Sequence, residues 1–161
     1  MKATILRGPY DIAYERVDDP TILAPGDAIV RVVAACVCGS DLWSYRGINE
    51  FTTAKAVGHE LVGVVEEVGP QVRSLRPGDF VISPFTISDN TCPHCRAGVQ
   101  SACQHVAYFG GNDSDGLPIS GAQAEYVRIP LADGTLVSLR EHPDEAMVPA
   151  ATTTPTRART V

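Results

Sequence analysis

Gly58-His59-Glu60-Leu61-Val62-Gly63, continuing through Gly69 to Val72, sets an imidazole beside a carboxylate with glycines on both sides. Just upstream, Cys38-Gly39-Ser40-Asp41 adds a thiol, a hydroxyl and a second acid. Thiolate, imidazole and carboxylate form a donor set suited to borderline-soft zinc. A neighbouring carboxylate commonly orients a metal-bound imidazole. An isolated His-Glu pair is more often a core histidine next to a surface acid, but here the pattern extends well beyond a pair.

The chain has 161 residues, enough for one domain with a proper core. Fourteen glycines and twelve prolines indicate many turns, as in an all-β fold. The net charge of -6 and the lack of any basic block argue against nucleic acid and against an anionic membrane surface. No apolar run approaches the ~20 residues that span a bilayer. Met1 to Leu6 is too short and too soon polar for a signal peptide. These features point to the cytoplasm, where the five cysteines would be reduced and their clustering suggests metal rather than disulfides.

Working outward, Lys2–Arg7 and Tyr10–Val17 read as strands of a hairpin around Gly8-Pro9. Pro25-Gly26-Asp27 introduces Ala28–Val37, a β-branched strand with Arg31 toward solvent and Val30 and Val32 toward the core. Continued alternation gives Cys36 and Cys38 the inner parity, and Cys36 reads as a small core residue. Ser40–Arg46 reads as a short helix capped by Ser40. Glu60–Val68 is valine-rich and ends at Gly69-Pro70. Arg76-Pro77-Gly78-Asp79 repeats the Pro-Gly-Asp rhythm before Phe80-Val81-Ile82. Such short strands between turn signals suggest a barrel or sandwich rather than alternating βα units. Ala122–Val127 reads as a further strand and Ala132-Asp133-Gly134-Thr135 as a turn. Asp113-Ser114-Asp115-Gly116 hints at a calcium loop, but Gly111 and Ala122 would occupy its first and twelfth positions, so the pattern fails.

Cys92-Pro93-His94-Cys95, followed by Cys103, forms a knuckle able to grip one metal ion. A tetrahedral site needs a fourth ligand, for which His94 and His105 are candidates.

The spacing from Gly58 to Val72, with Cys38-Gly39-Ser40-Asp41 upstream of it, resembles the signature of the zinc-dependent medium-chain alcohol dehydrogenases. The resemblance runs from Lys2 to about Pro149 and covers that family's GroES-like catalytic domain. It implies a mainly β fold: a partly open antiparallel β-barrel with short helices and a structural-zinc lobe at about residues 86–106. It implies Cys38 and His59 as ligands of a catalytic zinc, with Ser40 carrying the first proton and Asp41 orienting His59. In relatives the third ligand comes from beyond the matching region; Glu60, directly after His59, is the nearest substitute. Trp43 stands where many relatives carry a proton-relaying histidine, and either lines a pocket or packs. The lobe resembles the family's structural zinc site with Asp89 in place of one cysteine, beside Cys92, Cys95 and Cys103. A carboxylate keeps the negative charge and is an accepted zinc donor; His94 and His105 remain its rivals.

Relatives bind NAD(P) in a separate Rossmann domain. Here no Gly-x-Gly-x-x-Gly follows a strand, and from Ala146 to Val161 there is no Asp, Glu, Cys or His. The reading is therefore of residues 1–149 as the zinc half of a dehydrogenase, residues 150–161 as a divergent tail, and truncation before the coenzyme domain. Two functions follow. One is the zinc-binding catalytic domain of an alcohol dehydrogenase-like oxidoreductase, inactive alone. The other is a non-catalytic zinc-stabilised module acting by self-association or partner binding. The expected partners are a second copy or the missing coenzyme domain, held through an exposed apolar face.

Overall fold

Ala28–Ala35 (AIVRVVAA) is an interior strand of the main sheet, where its β-branched side chains fit a pleated, partly buried surface. A computed structural model of the chain describes residues 1–50 and 53–139. Residues 140–149, the last part of the stretch assigned to the domain, and the 150–161 tail lie outside the described residues. In chain order the elements are β1 (Lys2–Gly8), β2 (Asp11–Arg16), β3 (Ala28–Ala35), α1 (Asp41–Tyr45), β4 (Lys55–Ala56), β5 (Leu61–Val68), β6 (Phe80–Ser83) and β7 (Thr86–Ile87). They continue with α2 (Pro93–Arg96), a 3-10 turn (Gln100–Ala102), β8 (Ala107–Tyr108), β9 (Tyr126–Ile129), α3 (Ala132–Thr135) and β10 (Val137–Leu139).

The fold is mainly β, and among the described residues every strand pairing is antiparallel. A five-stranded sheet runs β10-β6-β5-β3-β9, and a three-stranded sheet runs β2-β1-β4. An Ala3–Ala124 bridge and the bond from Thr4 N–H to Gln123 O (2.8 Å) join the two without closing the barrel. Ala28, Val30, Leu61, Val65, Val81, Val127 and Ile129 of the five-stranded sheet form the largest buried cluster, joined by Leu75, Ala122, Ala132 and Leu136. Val32 packs on the edge of this cluster, and Arg31 points outward to pair with Glu66 at 2.8 Å.

The three glycines of the 58–72 stretch have steric reasons, Gly69 because an added Cβ would lie 2.4 Å from the Pro25 carbonyl oxygen. At Gly63 an added Cβ would lie 2.3 Å from the carbonyl oxygen of Arg31, so only glycine lets β5 approach β3 there. Gly58 has φ +92, and its Cβ would meet Gln123 Cγ at 2.5 Å. Its carbonyl accepts from Ala122 N–H at 2.9 Å, which fixes the backbone just before His59.

The two Pro-Gly-Asp turns share a device. Asp27 Oδ2 accepts from the N–H groups of Leu23 and Ala24, and Asp79 Oδ2 from that of Arg76. Asp27 does more: its carboxylate pairs with Arg128 of β9 at 2.8 Å, and Arg128 reaches on to Asp113 at 2.8 Å. Asp27 and Arg128 are only 1% and 3% exposed. Asp113 Oδ1 also accepts from Asp115 and Leu117 N–H, which explains the acid-rich 109–116 loop without a cation. Burial raises the Asp113 carboxyl, but Arg128 and these two amides outweigh it and hold its pKa below the ordinary 3.8. This contribution to stability is present above pH 3.8 and lost as pH falls through the lower folded value.

Several expectations need correction. β3 stops at Ala35, two residues early, because the chain turns where Cys38 N–H donates to Asp41 Oδ2 at 2.9 Å. Cys36 is therefore half-buried at a strand end rather than in the core, and its thiol donates to Glu60 Oε2 at 2.6 Å. Ser40 sits at the start of α1, yet its hydroxyl makes no capping bond. Residues Ala132–Thr135 form one helical turn, whose Asp133 accepts from Arg73 and Ser74. Among the described residues no helix is long and apolar enough to cross a membrane.

Removing one member of a buried pair leaves the other charge uncompensated. Arg128→Met should therefore lower the unfolding free energy by about 3–5 kcal/mol, read from urea denaturation. A midpoint unchanged from the parent chain would show that the Asp27–Arg128–Asp113 network is not what locks β9 to the 23–27 turn.

Candidate functional site

The antiparallel register of β3 and β5 puts Ala35 opposite Leu61, so the residues just beyond the first strand and just before the second face each other. Cys36 N–H donates to Glu60 O at 3.3 Å and closes this end of the ladder. The next turn brings Cys38 to the same place. One donor atom each from Cys38, His59 and Glu60 then lies within 4.8 Å of the others.

His59 has two distinct nitrogens. Nδ1 lies 3.3 Å from Asp41 Oδ1, so in the neutral ring this carboxylate favours the Nδ1–H tautomer and leaves the Nε2 lone pair free. Nε2 lies 3.4 Å from Ser40 Oγ. The bond to Asp41 is the largest cause that pushes His59 up to about 9. Cys38 moves the other way, lowered first by the hydroxyl and amide of Ser40 and then by His59. Cys36, two residues away, is pushed up to about 12 by burial and then by Glu60, so its S–H stays a donor. The two neighbouring thiols thus have opposite characters.

A cleft of about 160 Å³ opens beside this cluster, lined by Ser40, Asp41, Ser44, Lys55, His59 and Phe109 among others. The Phe85 ring stands edge-on to His59 at 6.5 Å and stacks on Tyr108 at 6.4 Å. Trp43 is 56% exposed and does not pack in the core. Sequence reasoning missed the Cys36–Glu60 contact and the roles of Ser44, Lys55, Phe85 and Phe109 in and around the cleft. The proximity of Lys55 to Gly58-His59 was a usable signal. Phe109 carried none, since its approach is purely tertiary.

The second group, Asp89, Cys92, Cys95 and Cys103, also holds its donor atoms within 4.8 Å of one another. Pro93 starts α2, where its missing N–H is not needed, and the single helical turn sets Cys92 and Cys95 on one side. The 3-10 turn then returns the chain to Cys103. All three cysteines are unpaired and are 7%, 3% and 3% exposed. They form a buried cluster with no aliphatic member. Cys103 Sγ accepts from the N–H groups of Asp89 (3.4 Å) and His105 (3.3 Å). Burial and the neighbouring Cys92 and Cys103 push Cys95 up to about 12, whereas the Gln104 amide leads the causes that lower Cys92. Burial would raise Asp89, but the amides of Cys92 and Thr91, and then His105, outweigh it and hold the carboxyl well below its usual range. Three buried sulfurs and an ionised carboxylate without an apolar core fit a tetrahedral zinc ion. Of the two rival histidines, neither joins the group; His105 Nδ1 bonds to Asp89 Oδ2 at 2.7 Å instead.

The family described as "Alcohol dehydrogenase GroES-like domain" matches residues 24–140. Zinc-type alcohol dehydrogenase B of Aspergillus flavus is 43% identical over 145 residues, which is 90% of this chain and 33% of the relative. Medium chain reductase/dehydrogenase ucsI of Acremonium sp is 46% identical over 138 residues, 85% of this chain and 46% of the relative. Among solved structures, the alcohol dehydrogenase TADH from Thermus sp. ATN1 superposes with a TM-score of 0.80 at 36% identity, covering 90% of this chain and 42% of that one. The chain thus spans between a third and a half of the length of these relatives. With strands, signature glycines and both donor clusters inside the matched region, the chain belongs to the alcohol dehydrogenase GroES-like domain family.

Proposed function

We propose that the chain is the zinc-binding catalytic half of an alcohol dehydrogenase-like oxidoreductase, whose intact relatives convert an alcohol to an aldehyde or ketone with NAD(P). The observation that carries this reading is the meeting of Cys38, His59 and Glu60 donor atoms within 4.8 Å, with the Ser40 hydroxyl 3.4 Å from His59 Nε2. Cys38 Sγ, His59 Nε2 and a Glu60 oxygen would hold the metal. Bound zinc supplies Lewis acidity to a substrate oxygen. Asp41 keeps His59 in the tautomer that presents Nε2. Ser40 Oγ, lining the same open cleft, is placed to take a proton from a substrate hydroxyl while its own hydroxyl proton goes to solvent water. Asp89, Cys92, Cys95 and Cys103 would hold a second zinc that organises the lobe, where there is little apolar core.

Association belongs to the same reading. Exposed Ile12, Val37 and Leu42 line an apolar cleft of about 230 Å³ with Leu6, Tyr45 and Val57. A coenzyme half or a second copy would cover it. The non-catalytic module remains the alternative function, and the exposed apolar lining of this cleft is what favours it.

Two experiments bear on these roles. Cys95→Ser should remove one zinc equivalent and open the lobe to protease; unchanged zinc content in that variant would refute the lobe assignment. The 161-residue chain alone should not reduce NAD or NADP with any alcohol. Joined to the coenzyme half of a homologous dehydrogenase it should do so, and Ser40→Ala should lower kcat by about 10²–10⁴-fold with zinc retained. A fusion that binds zinc and coenzyme yet stays inactive would favour the non-catalytic alternative.

A further inference from the structure

Asp89 is an unusual member of its cluster, because it must present one oxygen in a fixed direction with no second thiolate to replace it. A carboxylate has two oxygens, each with two lone pairs, and accepts only. Asp89 Oδ1 accepts from Thr91 N–H at 2.8 Å and from Cys92 N–H at 3.0 Å, which uses both of its lone pairs. Asp89 Oδ2 accepts from His105 Nδ1 at 2.7 Å, which uses one. Beyond these three bonds the carboxylate keeps one lone pair, on Oδ2, and the Cys95 side chain of the cluster also hydrogen-bonds to this carboxylate. Since the carboxylate cannot donate, His105 Nδ1 carries the hydrogen of this bond, and that nitrogen is not available as a ligand. The His105 backbone N–H also donates to Cys103 Sγ at 3.3 Å. The residue therefore reaches two members of the cluster, although its ring is 51% exposed while Asp89 is only 10% exposed.

We infer that His105 is the positioning residue for the lobe metal: its ring holds Asp89 Oδ2 toward Cys92, Cys95 and Cys103, so that Asp89 and His105 together do what a fourth cysteine would do alone. This rests on the proposed zinc at the lobe. It makes His105 dispensable wherever a thiolate supplies the fourth donor directly, because a sulfur at position 89 needs no partner to aim it.

The test measures zinc affinity of the full chain by competition with a chromogenic chelator, all variants carrying His59→Ala so that only the lobe metal is read. His105→Ala should weaken zinc about 10–100-fold. His105→Asn, which restores an N–H donor, should recover part of the loss. In an Asp89→Cys background, His105→Ala should change affinity by less than about twofold. That last arm separates positioning from a general structural role, which would weaken zinc in both backgrounds. A His105→Ala affinity equal to the parent's would overturn the inference alone. So would an Asp89→Ala variant that kept zinc while His105→Ala lost it, since His105 would then be the ligand. A parent chain with no lobe zinc would overturn the metal reading itself, and this inference with it.

Discussion

The pairing of β3 with β5 is the constraint on which the rest depends. Its register runs from Ala28 opposite Val68 to Ala35 opposite Leu61, and the Cys36–Glu60 bonds extend it by one residue at the end where the donors lie. Gly63 permits the close approach, since a Cβ there would strike the Arg31 carbonyl at 2.3 Å. Shifting the register by one residue would turn every side chain to the opposite face. It would separate Cys38 from His59 as surely as deleting either. The donor cluster is thus a product of sheet geometry, and the stiffness of the sheet is what fixes His59 relative to the turn carrying Cys38, Ser40 and Asp41.

The second cluster is built on the opposite principle. Its four donors come from fifteen consecutive positions, Asp89 to Cys103, with one helical turn and one 3-10 turn between them. No strand ladder passes through it, and its buried members are cysteines alone. Local chain geometry and donor chemistry must therefore hold it. The Asp89 amide and acid contacts, the amides aimed at Cys103 and the His105 ring all act within this span or two residues beyond it. The first cluster offers three half-buried donors, one of them a carboxylate that also accepts from Cys36. The lobe offers three buried sulfurs and an ionised acid. The two sites accordingly differ in completeness.

Much of this was legible in the sequence because it rests on local spacing. Cys92, Cys95 and Cys103 announce a knuckle through separation alone. Gly58, His59, Glu60 and Gly63 announce a strand entry with a donor pair. The two Pro-Gly-Asp turns mark strand starts because the Asp carboxylate caps the preceding amides. What could not be read depends on long-range contact or on where alternation stops. Cys36 was assigned to the core by parity, but parity holds only inside a strand, and β3 ends at Ala35. Arg128 meets Asp27 across 101 positions and Asp113 across 15, with no pattern linking them. His105 looked like a rival ligand because composition reveals a nitrogen but not which partner it faces.

Stepwise chelation with metal analysis tests the central claim most directly. The account predicts two classes of zinc. One equivalent, at Cys38 and His59, leaves first to a mild chelator, while the lobe equivalent at Asp89, Cys92, Cys95 and Cys103 persists until stronger competition. His59→Ala should remove the first class and leave the second untouched. Two equivalents of equal resistance, both surviving in step, would contradict the unequal completeness of the two donor sets and require a further ligand at the first.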